Sequence, residues 1–177
     1  SNDMWKFHPE RPQDYPDDLM LYRNETPIQS IIDQSDLTKD ITDESIRFIE
    51  ENKDNQFFLY IAHPQPHVPL FASKDFNGST GNGLFADVIS EIDFSVGRVI
   101  EALEKHNLTE NTIVVFTSDN GPWLSYGDHA GSSGIYREGK GTAWEGGQRV
   151  PCIIKYPKEI KAKTCLLYTS DAADDSL

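Results

Sequence analysis

The sequence predicts an α/β domain with a mostly parallel sheet flanked by helices. Three observations lead there: two short apolar runs rich in β-branched and aromatic residues, at 57–62 and 113–118; one long amphipathic segment between them; and turn-forming residues at each junction. Strand, helix, strand in that order is expected to give parallel strands joined by a right-handed crossover.

Taken in order, residues 1–37 carry Pro9, Pro12, Pro16 and Pro27, which exclude a long helix and predict a meandering surface segment. A helix is expected from Asp36-Leu37-Thr38, with Thr38 or Asp40 as its cap and Ile41, Ser45, Phe48 and Ile49 along one side; Glu50, Glu51 and Lys53 then face water. The run 57–62 predicts a strand leading into His63-Pro64-Gln65-Pro66-His67-Val68-Pro69. Prolines fix φ and remove amide donors, so the two histidines sit on a stiff track. Phe85, Val88, Ile89, Ile92, Val96, Val99, Ile100 and Leu103 keep helical spacing and mark the surest helix, ending near His106-Asn107. The second strand, 113–118, stops at Asp119-Asn120-Gly121, and ligands gather beyond the carboxyl ends of such strands. A long glycine-rich loop follows, through Gly121, Gly127, Gly131, Gly134, Gly139 and Gly141, then Trp144-Glu145-Gly146-Gly147 and a last strand within 150–156.

The chain has 177 residues, enough for one domain with its own core. With 29 acidic against 16 basic residues and no basic cluster, the formal charge of −13 argues against a nucleic-acid partner. No stretch reaches the roughly 20 apolar residues that span a bilayer, and residues 1–10 lack a signal-peptide pattern. Cys152 and Cys165 make neither a disulfide framework nor a metal spacing. The sequons at Asn24, Asn77 and Asn107 point towards an extracytoplasmic protein, although sequons also arise by chance.

Four side chains could carry chemistry. Asp119 and Asn120 offer a carboxylate and an amide oxygen from one rigid strand end, as a hard cation such as calcium prefers; in isolation the same residues simply make a turn. His67 can bind an anion or fill space beside its prolines. Lys140 lies between Gly139 and Gly141, which let a ligand approach closely, although an exposed loop lysine is the commoner situation. His63 reads as structural, Trp144, Glu145 and the glycines after them as packing and turn geometry, and Arg149 as an ion-pair partner.

Together, FFLYIAHPQPHVP (57–69), EIDFSVGRV (91–99), TSDNGPW (117–123) and GKGTAWEGGQRVP (139–151) resemble, in this order, the sulfatase family of the arylsulfatase A and N-acetylgalactosamine-6-sulfatase type. The resemblance covers roughly residues 21–158 and implies an alkaline-phosphatase-like fold. It also implies calcium ligation by Asp119 and Asn120, sulfate contacts from His67 and Lys140, and hydrolysis of sulfate esters, in particular those of sulfated carbohydrates. The family's nucleophile is a formylglycine made from cysteine in a Cys-X-Pro-X-Arg motif, and an upstream aspartate pair completes its calcium site. Neither Cys152 nor Cys165 starts such a motif, and Asp17-Asp18 lies in an irregular segment, so no metal role is transferred to it.

The expectation is therefore a partial catalytic domain over 1–164, incomplete at both ends and inactive alone, followed by a non-native, adapter-derived tail at 165–177. A phosphomonoesterase or phosphodiesterase of the same superfamily is the nearest rival, because a phosphoryl group asks for similar electrostatics. A sulfated-glycan-binding protein without catalysis is the rival from another class.

Overall fold

In the computed structural model the structure describes residues 19–31 and 33–165. Its elements run β1 (Leu19–Arg23), β2 (Thr26–Ile31), α1 (Leu37–Asn52), α2 (Leu84–Lys105), β3 (Val114–Thr117), the short α3 (Glu145–Gln148) and β4 (Cys152–Lys155). Asp17-Asp18 and residues 166–177 of the expected tail lie outside the described residues.

The meander expected before residue 37 contains a hairpin, β1 paired antiparallel with β2. Asn24 takes φ 55°, a left-handed conformation that asparagine tolerates in a two-residue turn. Pro27 is accommodated opposite Tyr22, beside a register shift between Leu21 and Tyr22. Proline cannot donate to a ladder, but bulged and edge positions do not ask it to. Arg23 ties the hairpin to α1 through Glu44 at 2.8 Å.

α1 begins at Leu37, so neither Thr38 nor Asp40 caps it; Asp36 holds that position through its carbonyl, which accepts the Asp40 amide at 2.9 Å. Thr38 is instead buried in the face that meets α2, along with Thr42, Ser45 and Ile49. Hydroxyls survive there because Thr42 donates to the Thr38 carbonyl at 2.6 Å and Ser45 to the Ile41 carbonyl at 2.7 Å.

The α/β class holds, and no parallel pair forms among the described residues. Both strand pairs among the described residues are antiparallel: β1 with β2, and β3 with β4 in the register Val114↔Lys155 to Thr117↔Cys152. The run 57–62 forms no ladder there. It still alternates as a strand does. Phe57 and Leu59, like Val114, pack on the cluster of Ile49, Ala102 and Leu103, whereas Phe58 and Tyr60 are 87% and 79% exposed. One face of this layer is thus covered by α1 and α2. The long loop after β3 returns the chain in the opposite direction, so the strand that reaches β3 runs antiparallel.

α2 carries the molecule's other organising feature. Its apolar stripe buries Val88 and Ile92 against Val68, Leu70 and Ala72, while Asp87, Glu91 and Ser95, spaced four residues apart, form a buried polar stripe. Asp87 accepts from the Gly78 amide (2.9 Å), the Thr80 amide (3.0 Å) and the Thr80 hydroxyl (2.6 Å); the hydroxyl, then the two amides, hold its carboxyl below the usual aspartate range. Glu91 accepts the Ser73 amide at 2.9 Å, and Ser95 shares hydrogen bonds with Thr42 (2.6 Å) and His63 Nε2 (3.5 Å). The segment from 63 to 80 is therefore fastened to one helix at three successive turns.

Candidate functional site

His67 stands on that fastened segment. Val68 beside it is buried in the α2 cluster, and the Gln65 side chain braces the loop from within, donating to the Pro69 carbonyl and accepting the Phe71 amide, each at 3.3 Å. The peptide bonds preceding Pro66 and Pro69 are cis. The His67 ring is oriented by its own neighbour: Nδ1 lies 2.7 Å from the Val68 carbonyl, which can only accept, so Nδ1 carries the proton and Nε2 offers its lone pair.

That lone pair meets Lys140, whose Nζ lies 2.9 Å from His67 Nε2. The two residues are 73 positions apart in sequence. An ammonium donating one proton to the imidazole retains two for another acceptor, so the pair is a directed hydrogen-bond donor with a net positive charge. Trp123 packs against both partners, edge-on to the His67 ring at 5.8 Å and with Lys140 Nζ 5.1 Å from its centroid.

Lys140 is held by its backbone. Its amide donates to the Pro122 carbonyl at 2.8 Å, and the Gly121 amide donates to the Gly147 carbonyl at 2.9 Å. A Cβ on Gly121 would fall 1.8 Å from the Gly146 carbonyl oxygen, one on Gly139 2.3 Å from that of Pro122, and one on Gly146 2.0 Å from that of Glu138. Three strands of loop therefore touch backbone to backbone, which only glycine permits. Gly139 beside the lysine is required by this contact, a different reason from the ligand clearance expected of it. Arg149 pairs with Glu145, the ion pair expected of it, and Arg137 lies 3.7 Å over the Trp144 ring.

Asp119 and Asn120 follow β3 after Ser118, two to three residues before the Pro122 carbonyl that anchors Lys140. Asn120 donates from Nδ2 to the Gly121 carbonyl at 2.8 Å, which leaves Oδ1 without a hydrogen-bond partner among the described residues. The exposed Asp119 carboxylate likewise has no hydrogen bond or ion pair there. Two such oxygens suit a hard cation, although calcium takes six to eight ligands. Among the described residues no three His, Cys, Asp or Glu side chains gather as a metal site. His67, Lys140 and the 119–122 segment are thus joined through direct bonds, and the two oxygen donors lie at the adjoining strand end.

His63 sits apart, against Ser95 of α2. Burial pushes its pKa below the ordinary 6.5, and its Nδ1 is buried without a partner among the described residues, in keeping with a structural role. Sequence reasoning missed Asp87, Glu91 and Ser95 as the supports of the His67 loop, though polar residues at four-residue spacing on an otherwise apolar helix face were the available signal. It also passed over Trp123.

The sulfatase family model matches residues 4–174. The chain is 38% identical over 152 residues to human steryl-sulfatase, covering 83% of this chain and 26% of that protein. It is also 38% identical over 135 residues to the N-acetylgalactosamine-6-O-sulfatase of Bacteroides thetaiotaomicron, covering 71% of this chain and 26% of that protein. The solved PsFucS1 sulfatase from Pseudoalteromonas sp. superimposes with a TM-score of 0.72 at 33% identity, over 77% of this chain and 28% of that one. The described elements are thus part of the α/β, alkaline-phosphatase-like fold of such proteins, and the chain spans 26% of the length of the two curated relatives. Match, motif order and superposition agree: the chain belongs to the sulfatase family.

Proposed function

We propose that the whole protein is a calcium-dependent sulfatase that hydrolyses sulfate esters, in particular those of sulfated carbohydrates, and that His67, Lys140, Asp119 and Asn120 serve its active site. The observation that carries this reading is the 2.9 Å contact between Lys140 Nζ and His67 Nε2, with the imidazole tautomer set by the Val68 carbonyl.

Cleavage of a sulfate ester moves negative charge onto the leaving oxygen while the sulfuryl group stays anionic, so donors fixed in advance at those oxygens stabilise the transition state. Lys140 directs its two remaining protons at the sulfate oxygens. His67 orients the ammonium by accepting one of its protons at Nε2. Asp119 and the Asn120 carbonyl would hold calcium with further oxygens from the rest of the protein, and the ion supplies Lewis-acid charge at the sulfate. Formylglycine, the family's nucleophile, would come from a Cys-X-Pro-X-Arg motif, which residues 1–177 do not contain. The exposed sequon residues Asn24, Asn77 and Asn107 support an extracytoplasmic location, and no helix among the described residues is long and apolar enough to cross a membrane.

The test is turnover of a chromogenic aryl sulfate and the matching aryl phosphate by the full-length protein, with and without calcium chelation. Sulfate cleavage that is lost on chelation and restored by calcium is expected. Preference for the phosphate, or indifference to chelation, contradicts the reading.

A further inference from the structure

The cationic pair has an aromatic neighbour that the proposed chemistry does not use. Trp123 touches both His67 and Lys140, and Tyr126 packs edge-on against it with centroids 4.8 Å apart. Both rings thus stand in one contiguous aromatic group with the cationic pair. Trp123 immediately precedes the short 3-10 segment Leu124–His129, which carries Tyr126.

Building on the sulfatase reading, we propose that Trp123 and Tyr126 form the subsite for the ring that bears the sulfate, and that this ring is a pyranose. An anion accepted by Lys140 Nζ sits beside the indole, so the carbon skeleton to which it is esterified continues along the aromatic wall. The π face carries partial negative charge. It favours C–H bonds polarised by adjacent oxygens, which line the faces of a sugar, and it disfavours a second anion. Rings of this kind also provide contact area with little rotamer entropy to lose. Trp123 is a specificity-determining residue in this account, and Lys140, oriented by His67, remains the residue that holds the sulfate.

Full-length wild type, Trp123→Phe and Trp123→Ala are compared on a monosaccharide sulfate and on a linear alkyl sulfate, with inhibition by inorganic sulfate read in parallel. The alanine variant is expected to lose about tenfold or more in kcat/KM on the sugar sulfate, far more than on the alkyl sulfate. Phenylalanine should restore much of that loss, and inhibition by sulfate should barely change. An equal loss on both substrates, or weaker sulfate inhibition of matching size, makes Trp123 a support for Lys140 alone and overturns the ring subsite. A wild type that cleaves neither ester removes the sulfatase reading beneath it, a different outcome from equal losses.

Discussion

In the helix layer, neighbouring segments are kept apart by side chains. Ile49, Ala102 and Leu103 fill the space beneath Phe57, Leu59 and Val114, and Val88 and Ile92 do the same beneath Val68. In the loop from Gly121 to Gly147 the segments meet with no side chain between them. Close packing tolerates the loss of a methylene at a modest cost, because neighbours relax into the gap. A backbone contact near 2 Å from a would-be Cβ leaves no such freedom. The helix layer thus supplies stability and fixes His67, whereas the loop supplies the precision with which Lys140 meets it.

The strongest way to separate the two regions is Lys140→Ala in the full-length protein. Activity on a sulfate ester is expected to fall by about 10²–10³-fold, as for the loss of one preorganised donor to a developing oxyanion, while urea unfolding stays close to wild type. A comparable loss of folding stability would show that the lysine is a structural element of the loop.

Next in size is Gly146→Ala, whose new methyl would meet the Glu138 carbonyl. A cost of about 1–3 kcal/mol is expected, read as faster hydrogen exchange at the Lys140 and Gly146 amides with α2 protection unchanged. Removing a methyl from the core by Ile49→Val should cost less, roughly 0.5–1.5 kcal/mol, and should appear in global unfolding. If the core change proves the more damaging of the two, the contrast between the regions fails.

The smallest effect concerns His63. Its folded-state pKa lies below the ordinary 6.5 because burial disfavours the charged ring. At acid pH the unfolded chain then binds the proton more readily than the folded one. Stability is accordingly full above the ordinary histidine range and declines as pH drops through it. A modest fall in Tm between about pH 7.5 and about pH 5.5 is expected, with that part of the slope removed in His63→Gln. A variant with an unchanged slope would assign the acid sensitivity elsewhere.

Much of this architecture was legible before any coordinates. α2 follows from eight apolar residues at helical spacing, and β3 from a β-branched run that ends where Asp119 and Asn120 begin. The candidate site residues were named through the order of four motifs, which no single residue could have supplied. The hairpin at 19–31 escaped notice because prolines argue against strands except at edges and bulges, and a bulge is what accommodates Pro27. Strand partners escaped as well: periodicity predicts strands at 57–62 and 113–118, but pairing depends on where distant segments return, and β4 reaches β3 running antiparallel. The glycines were seen as punctuation. Their role in backbone contact is a property of three segments at once, which spacing along one chain does not encode.

The central claim is that His67 and Lys140 act on one sulfate group. A double-mutant cycle on the full-length protein, with His67→Ala, Lys140→Ala and the combination compared in kcat/KM on a single sulfate ester, addresses it directly. The account predicts that the combined loss departs from the sum of the single losses by more than about 1 kcal/mol. Additivity within about 0.5 kcal/mol would mean that the two side chains serve separate purposes, and would contradict it.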